Sequence, residues 1–200
     1  MDYDQWVVFT FNLSPGSGSL FYERYPGGAD EAFHHCLKFF QSPRRIVDRI
    51  PRASLVEAFH RIPSIDGYLG LLSYPELELT KRQELLHSQF NFFSQIFSND
   101  DFNHTSFLWW EHLVGASWNG GPSVHDDHFI CEQLLDLLER ILYIESPICS
   151  HSALHGINEI GPFGPPRHDS AILRRFLASD LAQDETLRKY AMQIQAGQAP

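Results

Sequence analysis

From Asp30 onward the apolar positions recur every three or four residues, the period of helices that each bury one face. An Asp30 cap predicts a helix over 30–40, stopped by Ser42-Pro43. Shorter helices follow over 44–50 and 54–62, divided by Pro51 and Pro63, and another short segment covers 66–74. Thr80-Lys81-Arg82-Gln83 reads as a capping box opening a helix to residue 98. Leu85, Leu86, Phe90, Phe92, Phe93, Ile96 and Phe97 form its broad apolar face, with Glu84, Asn91 and Gln95 opposite.

A short, heavily apolar segment spans 107–113, and Asn119-Gly120-Gly121-Pro122 closes it. Ser123 then caps a helix to residue 144. Asp127, Cys131, Leu134, Leu138 and Ile141 make one stripe, while Glu132, Asp136 and Glu139 face away. Further helices are expected over 148–160, 169–178 and 184–196. The first thirty residues break this grammar. The run Trp6-Val7-Val8-Phe9-Thr10-Phe11 has strand propensity without alternation, so it suits a short helix or an edge hairpin. Its helical neighbours favour the helix. The expectation is one all-α domain over 1–200, built of stacked antiparallel helices in αα-hairpins, HEAT-like towards the C-terminus. No repeat period supports a true solenoid.

Composition narrows the picture further. Hydrophobic residues are 43% and charged residues 20% of 200 residues, enough to build a core. Sixteen Phe, seven Tyr and four Trp make that core aromatic. A net charge of −10 argues against nucleic acid and suits a cationic protein partner, or simply solubility. Cys36, Cys131 and Cys149 are odd in number and lack CxxC spacing, as expected for free thiols in a reducing compartment. No apolar stretch reaches the ~20 residues a membrane span needs, and no secretory h-region is present. The cytoplasm is the default expectation.

The chemistry, if any, lies among eleven histidines. His151, His155 and Glu159 are spaced i, i+4, i+8, within about 80° on one helix face. Two imidazoles at i, i+4 can reach one divalent ion such as zinc, with a carboxylate one turn further as third ligand. Yet HExxH is not formed, and a solvated helix face accounts for the same residues. A third account has His155 tucked against a neighbouring helix beside Gly156, whose missing Cβ permits close approach. His125-Asp126-Asp127-His128 reads first as a capped helix start whose acids complement the dipole. Its alternative is that His125, Asp127 and His128 contribute to the same metal site. Nucleophile elbows, phosphate loops and dinucleotide fingerprints are absent. Cys149 and His151 fall on different helix faces, and Trp109-Trp110 reads as core.

Several strings in the C-terminal half carry a resemblance: Leu108-Trp109-Trp110-Glu111, Cys149-Ser150-His151-Ser152-Ala153-Leu154-His155-Gly156, Ile172-Leu173-Arg174-Arg175-Phe176-Leu177 and Leu187-Arg188-Lys189-Tyr190-Ala191. Over about 107–198 the chain resembles a family of uncharacterised bacterial helical proteins with W-W and S-A-L-H-G motifs. The resemblance implies an all-α fold with HEAT-like C-terminal packing and no established activity. Glu159 stands where that family shows a second histidine. The functional expectation is a non-enzymatic, cytosolic protein-binding protein, of the immunity or antitoxin type, with no cofactor. The alternative is a metal-dependent hydrolase using His151, His155 and Glu159.

Overall fold

A computed structural model describes residues 2–11, 28–63, 68–73, 77–98, 102–117, 124–163 and 167–199. Among them the chain forms ten α-helices and no strand. The first is α1 (Tyr3–Phe11), so the ambiguous apolar run is helical. Its local cause is a reciprocal cap. Gln5 N donates to Asp2 Oδ1 at 2.8 Å, and Asp2 N donates to Gln5 Oε1 at 3.1 Å. The possible strand or hairpin is thereby corrected for residues 3–11; the Gly/Ser-rich turn at 14–19 lies outside the described residues.

Next come α2 (Gly28–Gln41), α3 (Arg44–Val47) and α4 (Arg52–Arg61), set apart by Pro43 and Pro51 as expected. Asp30 does not cap α2; it lies in the first turn, and its carboxylate takes Lys81 Nζ at 2.5 Å. A 3-10 turn over Tyr68–Ser73 leads towards α5 (Leu79–Phe92). The capping box at 80–83 is also corrected. Glu78 stands at the N-cap and makes no side-chain cap. Arg82 is instead buried, with Nε donating to Leu77 O at 2.8 Å and Nη1 reaching Leu72 O at 3.5 Å.

After Phe92, α5 widens into a π turn, Phe93–Phe97, closed by Ser98 N donating to Phe93 O at 2.9 Å. The widening leaves Phe92, Phe93, Ile96 and Phe97 all buried. Phe92 meets Phe97 with ring centroids 4.7 Å apart, Phe59 at 5.0 Å and Trp109 at 5.3 Å, in the tilted and edge-to-face arrangements aromatic rings prefer.

The remaining helices are α6 (Asn103–Ser117), α7 (Val124–Leu142), α8 (Pro147–Ile160), α9 (His168–Leu177) and α10 (Glu185–Gln195). Thus the apolar segment at 107–113 belongs to a helix about twice that length. Ser146 caps α8 with Pro147 in its first turn, and Asp184 caps α10 by accepting from Leu187 N at 3.0 Å. Packing is layered around α8, which touches α6, α7 and α10, while α5 joins α7 to α2 and α4 joins α6 to α1. Leu134, Leu138 and Ile141 are fully buried together, as their stripe predicts. Buried residues form one cluster running from Trp6 to Ala191. No helix among the described residues is long and apolar enough to cross a membrane.

Candidate functional site

The SALHG segment lies on α8, and α8 has little solvated face. Cys149, Ser150, Ser152 to Ile157 and Ile160 are all buried. Three contacts explain how a helix this polar packs so deeply. At Gly156 an added Cβ would lie 2.6 Å from Leu138 Cδ2 and 2.9 Å from Trp110 Cγ, so only glycine lets α6 and α7 approach this closely. Ser152 Oγ accepts from Trp110 Nε1 at 2.9 Å and donates to Ser106 O at 2.5 Å, which satisfies the buried indole and the hydroxyl together. Cys149 Sγ meets Phe93 O at 3.6 Å across the seam to the π turn. Trp109 Nε1 donates to Gln89 Oε1 at 2.9 Å, so both tryptophans are hydrogen-bonded core residues.

His155 stands at the centre of this packing and is only 4% exposed. Its ring stacks on Phe107 with centroids 3.6 Å apart and planes 12° from parallel. Nε2 lies 3.1 Å from Glu111 Oε1, and Nδ1 lies 3.3 Å from Tyr190 Oη. The carboxylate only accepts, so the network places the ring proton on Nε2 and leaves Nδ1 to accept the Tyr190 hydroxyl. Burial pulls the imidazole pKa below its ordinary value, against the upward pull of Glu159 and Glu111. Burial likewise pushes the Tyr190 phenol up to about 12, helped by Glu159 and Glu111. Both groups are therefore neutral at pH 7. The imidazole lone pair is already engaged, and the phenol is no nucleophile.

The other members of the expected constellation part company. His151 is half-buried, edges towards Phe107 and Tyr190 at 5.2 Å each, and faces a groove of about 290 Å³ lined by Asn103, Ile148, Asp184 and Thr186. Its pKa is lowered by burial and then by His155. Glu159 is half-buried and accepts from Asn158 Nδ2 at 3.4 Å. His128 is exposed on α7, and the side chains of His125 and Asp127 lie outside the described residues. Among the described residues, no group of three or more His, Cys, Asp or Glu side chains converges in a geometry that could hold a metal.

Helical spacing put His151, His155 and Glu159 on one strip, and the solvated-face account fails for His155 because α6 and α10 cover it. The carboxylate it meets is Glu111, 44 residues earlier in sequence, and its second partner lies 35 residues later. Nothing in local sequence announces either pairing; the nearest signal is Gly156, which marks a close approach. No family model, curated protein or solved structure matches the chain.

Proposed function

We propose that the protein is a non-enzymatic, cytosolic protein-binding protein, of the immunity or antitoxin type, and that its histidine helix serves the scaffold. The observation that carries this is the occupancy of His155: the ring is buried and both its nitrogens are spent on Glu111 and Tyr190. Chemistry would need at least one of them turned to a substrate or an ion. Exposed large apolar side chains stand singly, Met192 at 53% on α10 and Tyr143 at 40% in the turn after α7, on a chain of net charge −10. Such a surface suits a partner of opposite charge, for which long-range attraction speeds the encounter.

Affinity capture from the source cell at low and high salt, beside metal analysis of the same preparation, tests this. The expected result is a basic protein retained at low salt and released at high salt. A stoichiometric divalent ion that His151→Ala or His155→Ala removes would favour the metal-dependent hydrolase instead.

A further inference from the structure

A second group of histidines lies where α6 meets α4. His60 is in the last turn of α4, while His104 and His112 are in α6, which packs on α4. The His60 ring meets His112 at 5.7 Å between centroids, nearly edge-on at 86°, and meets His104 at 6.4 Å. Eight residues of helix rise about 12 Å. The two centroid distances, 5.7 and 6.4 Å, together span that rise, so the rings stand in a row with His60 between the others.

These rings differ from most other histidines described. His34 faces Asp30, His35 faces Glu31, His87 shares Gln133, His155 meets Glu111 and Tyr190, and His168 meets Asp136 at 3.3 Å. Among the described residues, His60, His104 and His112 have no hydrogen-bond or carboxylate partner, only one another. The nearest carboxylate on α4, Glu57, is engaged by Arg61 at 3.5 Å. Burial, then His112 and His104, lowers the His60 pKa, which favours the neutral ring with one nitrogen lone pair free.

Neutral imidazoles are good ligands for borderline divalent ions. With metal–nitrogen bonds of about 2.1 Å, two rings sharing one tetrahedral ion have centroids roughly 5–6 Å apart. The His60–His112 separation of 5.7 Å falls in that range, and the His60–His104 separation of 6.4 Å exceeds it. We propose that His60 and His112 form a two-imidazole site for a divalent transition-metal ion (Zn²⁺, Ni²⁺ or Cu²⁺) that bridges α4 to α6, with water completing the coordination. Such an ion clips the end of a ten-residue helix to the layer beneath it. It binds only the folded arrangement, so it raises the melting temperature by linkage.

The test is a titration of the full chain, stripped by chelator, with Zn²⁺ and with Ni²⁺, read by calorimetry and thermal melts. The expected result is one ion per chain and a raised melting temperature. His60→Gln and His112→Gln should each abolish both effects, and His104→Gln should leave them. Far-UV circular dichroism in chelator checks that the variants are folded. For a variant that fails that check, wild type supplies the answer: substoichiometric Ni²⁺ should broaden the imidazole proton resonances of His60 and His112 before any others. Binding by neither ion, or binding retained in the His60→Gln, His112→Gln double variant, overturns the proposal. Retention there with loss in His151→Gln would move the ion to the α8 groove and also count against the non-enzymatic function.

Discussion

Two histidine seams flank α6, and they are built on opposite principles. On the α8 side, His155 is buried, stacked on Phe107, and bonded at both nitrogens. On the α4 side, His60 meets two other imidazoles and, among the described residues, no acid. The lesson is that exposure and partner, more than spacing, decide what a histidine does. A buried ring with two partners fixes a packing geometry, because leaving either partner unsatisfied costs more than the bond itself contributes. A half-exposed ring without partners remains available to an ion or a proton.

Substitutions that break the α8 seam should have the largest effects. Leu138→Ala should destabilise by ~2–5 kcal/mol in denaturant unfolding, since Leu138 is fully buried under α8. Gly156→Ala should cost ~1–3 kcal/mol by overpacking, because the Trp110 ring cannot yield as a flexible side-chain end does. Combining the two should cost less than their sum, as truncating Leu138 removes the 2.6 Å contact. His155→Ala should cost ~1–3 kcal/mol by stranding Tyr190 and Glu111, with Glu111 softening the loss because it is 45% exposed and can rehydrate.

Acid should weaken the α8 seam next. The folded-state pKa of His155 is depressed, so the unfolded chain binds the proton more readily. The contribution of a neutral His155 to stability is therefore complete above about pH 6.5, and it is lost as pH falls through the folded-state value. Between pH 7 and pH 5, His155→Gln should lose less stability than wild type; an equal or steeper loss would place the titration elsewhere. Smallest of all, His104→Ala on the exposed start of α6 should change stability by no more than about 0.5 kcal/mol without added metal.

The helices were legible where burial is one-sided. The Leu134, Leu138, Ile141 stripe and the Pro43 and Pro51 breaks read directly from spacing and from the missing proline N–H. Helix starts were less legible, because capping depends on side-chain rotamers. Asp2 and Gln5 form the reciprocal cap that Thr80 and Gln83 do not, and Arg82 leaves its helix surface to hold the carbonyls of Leu77 and Leu72. α8 misleads for a different reason. His151, His155 and Glu159 look like a polar face, yet His155 is buried because its hydrogen bonds to Glu111 and Tyr190 satisfy it. The Glu111–His155–Tyr190 chain joins three helices distant in sequence, and the His60 row joins two, α4 and α6. Neither has a local period to betray it.

The central claim is that His155 holds α6, α8 and α10 together through hydrogen bonds rather than through an ion. Thermal melts of wild type and His155→Ala, each with and without chelator, test it most directly. The account predicts that His155→Ala lowers the melting temperature by the same amount in both conditions. A difference that vanishes in chelator, because chelation alone brings wild type down to the variant, would contradict it.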